Sequence, residues 1–146
     1  MSIESGSKNT LNNIENISIS TPAPFGLEFL QVSSEGESTT TGTGFIQKVR
    51  LTTLTLLGTY RIGWSIEIKN DNVAGGTFRL HMDDTTFLGS GEVNNGTSPD
   101  YIEQTGFKYE TFSSGTHTFD LDFRSQFVLG NTTSVQRARI EIWKVA

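Results

Sequence analysis

With 146 residues and 34% apolar residues, the chain has the size and core material of one domain, and its 18% charged residues leave a formal net charge of −5. An acidic chain without a basic stripe lacks the footprint that neutralises phosphates, which argues against nucleic acid as a partner. The absence of cysteine excludes disulfides, zinc–thiolate centres and cysteine nucleophiles together.

The rest of the composition is Thr, Ser, Asn and 15 glycines, the mixture of short strands joined by many turns. Ten Phe, three Tyr and two Trp supply a core and argue against disorder of the whole chain. The opening "MSIESGSKNTLNN" lacks a basic segment followed by an apolar one, so no secretory signal is expected. No stretch approaches the ~18 apolar residues of a membrane span, so no membrane partner is expected and the protein reads as soluble.

In chain order, residues 1–24 are polar, carry no aromatic residue and close on Pro22 and Pro24. Beyond the first residues, their sizeable apolar groups are Leu11, Ile14, Ile17 and Ile19. The first pair is spaced like a helical turn and the second like a strand, and so mixed a period suits an arm that orders against a partner, or a frayed terminus, rather than a core helix.

Residues 25–146 read as β throughout. "FGLEFLQV" (Phe25–Val32) is an apolar run, followed by the loop "SSEGESTTTGTG". "FIQKVRLT" (Phe45–Thr52) is the next strand, and "LTLLG" turns into "GTYRIGWSIEIK" (Gly58–Lys69). There Tyr60, Ile62, Trp64, Ile66 and Ile68 alternate with polar residues and glycine, a row expected to face the space between two sheets. After the turn cluster "NDNVAGG", "TFRLHM" points Phe78, Leu80 and Met82 inward, and "GSGEVNNGTSPD" reads as a long connection. "GFKYETF" (Gly106–Phe112), "THTFDLDF" (Thr116–Phe123) and "SVQRARIEIWKV" (Ser134–Val145) complete the set. His117, Phe119, Leu121 and Phe123 are the facing row. Roughly eight strands separated by turn chemistry predict an antiparallel β-sandwich of the jelly-roll type with an N-terminal arm.

No catalytic motif accompanies this pattern: GxSxG, HExxH and P-loop signatures are absent. His81 and His117 stand outside any nucleophile or base pair, and His117 reads as a half-buried structural histidine. Asp83, Asp84, Asp120 and Asp122 could supply oxygens for calcium, but Arg137 and Arg139, alternating on the last strand, could equally answer Asp120 and Asp122 as cross-strand charge pairs. Asn16, Asn95 and Asn131 open N-x-S/T triplets, which carry little weight without a signal peptide. No metal, cofactor or enzymatic activity is expected. On the last strand Ala138, Ile140 and Ile142 take one face, and Arg137, Arg139, Glu141 and Trp143 the other. If the first face is core, Trp143 and the arginines form an exposed set of residue types enriched at binding hot spots, or Trp143 simply seals the sandwich edge.

"LTLLGTYRIGWSIEI", "FRLHMDDTTFL", "SSGTHTFDLDF" and "VQRARIEIWKV" together resemble, in order, segments of small virion structural proteins of tailed bacteriophages, from near Leu51 to the C-terminus. The resemblance implies a jelly-roll decoration, or cement, protein on the outer capsid surface. Its partners would be the major capsid protein and further copies of itself, as a homotrimer, and it would be made in the host bacterial cytoplasm. The residues expected to bind partners are Leu11, Ile14, Ile17 and Ile19 on the arm, and Arg137, Arg139 and Trp143 on the sandwich. Jelly rolls also host lectins, so a receptor- or glycan-binding module of a phage fibre or tail is the alternative, with Tyr101, Phe107 or Trp143 as its aromatic platform. A head–tail or baseplate component is a third.

Overall fold

A computed structural model describes residues 29–71, 75–94, 100–126 and 130–146. The arm, with Leu11, Ile14, Ile17 and Ile19, lies outside the described residues. Nine strands follow in order: β1 (Leu30–Ser34), β2 (Ser38–Thr40), β3 (Ile46–Thr55), β4 (Gly58–Asn70), β5 (Gly76–Met82), β6 (Thr86–Val93), β7 (Ile102–Phe112), β8 (Gly115–Ser125) and β9 (Thr133–Lys144). All pair antiparallel. One sheet has the order β1-β9-β4-β7, with β2 continuing the β1 edge of β9; the other has the order β3-β8-β5-β6. This is an antiparallel jelly-roll sandwich.

Alternation fills the space between the sheets. Tyr60, Ile62, Ile66 and Ile68 from β4, Ile140 and Ile142 from β9, Phe78 and Leu80 from β5, and Phe119, Leu121 and Phe123 from β8 are all buried. Each such side chain contributes roughly 1.5–3 kcal/mol by leaving water. Tyr60 stacks on Phe112 with ring centroids 4.9 Å apart. Trp64 departs from the expected row: it is partly buried. Its ring reaches the gap where β6 and β7 face each other, against Gly89 and Gly106.

Three features differ from the sequence reading. The run taken as a loop after Val32 holds the end of β1 and all of β2, which pairs with β9. The run taken as a connection from Gly89 begins inside β6. A Cβ at Gly89 would lie 2.5 Å from the Trp64 ring and one at Gly91 2.5 Å from the Phe78 ring, so these glycines make room for aromatic side chains within a strand. In β9, Gln136 and Arg139 face Glu67 and Ser65, so three steps on β9 match two on β4. The extra residue is a β-bulge at Arg137, whose φ is +48°. It reverses parity: Thr133 and Val135 point inward before it, Ala138, Ile140 and Ile142 after it.

Candidate functional site

Strand β7 is built the wrong way round for a simple edge strand. Its register against β4 sets Lys108 beside Ile62 and Glu110 beside Tyr60, on the core side, and Phe107 and Tyr109 beside Gly63 and Arg61, on the solvent side. The inward polar groups close the open edge of the sandwich: Lys108 pairs with Glu110 at 3.7 Å and reaches the Phe87 carbonyl of β6. The two aromatic rings meet edge to face at 5.7 Å and are each 54% exposed.

The same face of the sheet gathers further groups. Arg61 pairs across β4 and β9 with Trp143 and across β4 and β7 with Tyr109. Its guanidinium lies 4.4 Å from the Phe107 ring centre and 5.6 Å from that of Trp143, cation–π contacts that hold it flat against the sheet. Phe29, just before β1, packs on the other side of Trp143 at 5.4 Å. Three strands and the residue that leads into β1 thus contribute to one aromatic band with an arginine at its centre.

Next to that band the sheet is hollow. Gly63, at the middle of β4, leaves a depression of about 270 Å³ among Arg61, Ser65, Thr105, Phe107, Arg139 and Glu141. A Cβ at Gly63 would touch both Arg61 and Glu141 at 3.3 Å, so any larger residue would narrow the hollow. A glycine that weakens a strand interior commonly marks a close approach by another group.

Of the residues expected on this face, Trp143 lies in the band. Arg139 lines the hollow and pairs with Glu141 at 3.1 Å. Arg137, carried away by the bulge, pairs with Glu67 at 3.0 Å. Neither arginine meets Asp120 or Asp122, which corrects that expectation: β9 and β8 belong to opposite sheets and face each other across the core. Arg50 takes Asp120 instead, with two bonds of 2.6 and 2.7 Å, and Arg79 takes Asp122 at 3.6 Å. Burial and the neighbouring Asp120 charge raise the Asp122 pKa above the ordinary carboxylate value. Sequence reasoning missed Arg61, Phe29 and Tyr109 as members of the site. The available signal was the Phe107/Tyr109 alternation with Lys108 and Glu110, which puts charge on the face opposite two aromatics.

The remaining candidates serve the frame. His117 sets Nδ1 2.7 Å from an Asp83 oxygen and Nε2 2.9 Å from the Ser113 carbonyl. Both partners are acceptors, so only the doubly protonated ring satisfies both. The bond to Asp83 raises the His117 pKa against the opposing effect of burial. At Asp83 burial pushes upward, but the bonds from His117 and the Thr118 N–H outweigh it and lower the pKa. The His117 share of stability is therefore complete below its unfolded value near 6.5 and fades as pH rises through the raised folded value, while the Asp83 share is lost on acidification. Thermal melts are expected to show wild type losing stability, relative to His117→Asn, which lacks the titrating ring, as pH rises above the unfolded value near 6.5. Parallel curves would remove the charged state.

No family model matches the chain, and no curated protein sequence matches it. Solved structures do. An Eiger TNF from S. frugiperda matches over 85% of this chain and 94% of its own, with 13% identity and a TM-score of 0.54. The dimeric latent PorU of Porphyromonas gingivalis matches over 86% of this chain but 13% of its own, with 8% identity and a TM-score of 0.54. Infectious bursal disease virus, Gx strain, gives a TM-score of 0.45 at 9% identity, over 82% of this chain and 32% of that one. At 13% identity the likeness to the first of these is one of fold alone, the jelly-roll sandwich.

Proposed function

We propose that the chain is a non-enzymatic structural protein of a tailed-phage virion: a decoration protein that binds the outer capsid surface as a homotrimer and stabilises it. The observation that carries this reading is the inverted strand β7, which turns Phe107 and Tyr109 away from its own core beside Arg61 and Trp143. A chain exposes aromatic area in this way when another protein surface covers it. The resemblance of its strand motifs to those of small phage virion proteins supports the capsid as the setting. A cyclic trimer matches the local three-fold junctions of a capsid lattice. The partners are then two further copies and the major capsid protein, and the residue 1–24 arm, with Leu11, Ile14, Ile17 and Ile19, adds a contact whose ordering cost only a docked partner offsets.

Light scattering of the purified protein is expected to give three copies. Changing Phe107 and Tyr109 together to Ser is expected to give monomers with an unchanged circular dichroism spectrum, because neither ring belongs to the core. A trimer that survives this change removes the face as the interface. Densitometry of purified virions tests the setting, since a decoration protein is present at many copies per particle.

A second reading, a glycan- or receptor-binding module of a fibre or tail, draws on the hollow beside Phe107, where Arg139, Glu141, Ser65 and Thr105 offer polar groups next to a ring. It predicts only a few copies per particle.

A further inference from the structure

Tyr109, Arg61 and Trp143 stand in register across β7, β4 and β9, with Phe29 packed beyond Trp143. Phe29, Phe107 and Tyr109 are exposed. The arginine among them lacks a counter-charge. No ion pair among the described residues includes Arg61, and the neighbouring Glu141 is taken by Arg139 at 3.1 Å. The Phe107 and Trp143 rings fix the guanidinium in place and leave its charge unneutralised. A fixed guanidinium between rings, beside a hollow of about 270 Å³, suits a carboxylate flanked by apolar groups.

The chain that precedes the described residues carries that pattern. Residues 1–28 contain Glu4, Glu15 and Glu28 against Lys8 alone, so the segment is acidic where the band presents Arg61. In "IENISIS" (Ile14–Ser20) Glu15, Ile17 and Ile19 fall on alternate positions, which in an extended chain turns one carboxylate and two apolar groups to the same side. The segment also joins the sandwich at the band, because residue 28 leads into Phe29, whose ring lies 5.4 Å from that of Trp143. Ile19 stands ten residues before Phe29, and such a length spans at most about 35 Å. Neighbouring strands are about 4.8 Å apart, so the arm is long enough to cross the band of its own sandwich or of one beside it. Strand β1 lies antiparallel to β9 with Leu30 opposite Ile142, so the line of β1, followed back from Leu30, leaves the sheet at the end of β9. Covering its own band would demand a reversal over that end and would hide the face that joins copies. An arm laid on a neighbour's band covers the same rings and joins the copies at once.

We propose that the arms are exchanged between copies: Glu15 of one copy pairs with Arg61 of the next, and Ile17 and Ile19 cover the exposed rings beside it. This rests on the trimeric reading above and names what fills its interface. The test is a charge swap in the full chain, read by light scattering over a dilution series. Arg61→Glu and Glu15→Arg are each expected to weaken association of the trimer at least about tenfold, and the double variant to recover most of that loss, because the reversed charges attract again. Glu15→Arg leaves residues 29–146 intact and reads the pairing even where Arg61→Glu disturbs the fold. Because the chain has no cysteine, an introduced disulfide identifies the neighbour directly. Thr105 is exposed at the hollow, two residues from Phe107. Chains carrying Ile17→Cys and chains carrying Thr105→Cys, co-expressed and oxidised, are expected to form a mixed pair on a non-reducing gel. If no mixed pair forms and a chain carrying both substitutions closes on itself, the arm covers its own band and the exchange is wrong. Links between two Thr105→Cys chains alone would make the sheet face of a second copy the cover instead. A wild-type trimer whose association neither charge reversal weakens would overturn the pairing and leave the trimeric reading standing. A monomeric wild type would remove both.

Discussion

Trp64→Ala is expected to lower the unfolding free energy by about 3 kcal/mol, near the lower end for an aromatic truncation because the ring is partly buried. The more telling result is expected from its neighbour. Gly106 sits opposite Trp64 on β7, and a Cβ there would fall 2.4 Å from the ring. Gly106→Ala alone should therefore cost about 1–3 kcal/mol through overpacking. With the ring gone the added methyl meets no clash, and alanine suits a strand at least as well as glycine does. The double variant is expected to be no less stable than Trp64→Ala alone, giving a coupling of about 1–3 kcal/mol in a double-mutant cycle read by urea unfolding. Strictly additive losses would mean that the ring does not occupy the space over Gly106. The aromatic band faces the opposite side of the sheet, so neither substitution should change the oligomeric state of the molecules that remain folded.

How far the sequence discloses this fold depends on whether a property is local. The inward rows of β4 and β8 are legible because a period of two needs only neighbouring residues, and the exposed side of β9 was legible for the same reason. Strand β6 was not, because Gly89 and Gly91 read as loop chemistry while their role is set by Trp64 and Phe78, which are distant in sequence. The bulge at Arg137 shows only as Val135 and Ala138 both being apolar at odd spacing. The charge partners of Asp120 and Asp122 depended on which strands share a sheet, a non-local fact that placed them with Arg50 and Arg79. The site divides in the same way. Trp143 was visible from alternation on its own strand, whereas the grouping of Trp143, Arg61 and Phe107 across three strands, with Phe29 just before β1, required the register.

Asn131 carries the other large expected effect. It opens an N-T-T triplet, yet it is 1% exposed, so its side chain is closed to a modifying enzyme in the folded protein. Its Nδ2 group instead donates within 2.8 Å of the Gly75 carbonyl, 2.6 Å of the Ser125 hydroxyl and 3.0 Å of the Gln126 carbonyl. The Ser125 hydroxyl in turn donates to the Asn131 carbonyl at 3.2 Å. One amide thus ties the start of β5, the end of β8 and the approach to β9 at the end of the sandwich away from the turn between β3 and β4. Asn131→Asp keeps the shape and exchanges that donor for an acceptor, facing a buried negative charge with two carbonyl oxygens. The expected loss at neutral pH is about 3–5 kcal/mol, the scale for an uncompensated buried charge. Burial raises the pKa of the new carboxyl above its unfolded value near 3.9, so the variant should recover part of its stability as pH falls toward that value, when the protonated group can donate again. Asn131→Ala removes the donor without adding charge and should cost less, about 2–3 kcal/mol, because the Gln126 carbonyl and Ser125 hydroxyl lose this donor while the Gly75 carbonyl keeps only the Gln126 N–H, with no such recovery in acid. Urea unfolding of both variants at pH 4.5 and pH 7.5 checks the pair. An aspartate variant as stable as the alanine one at the higher pH would mean that water reaches the site and that the three segments are held by something other than this amide.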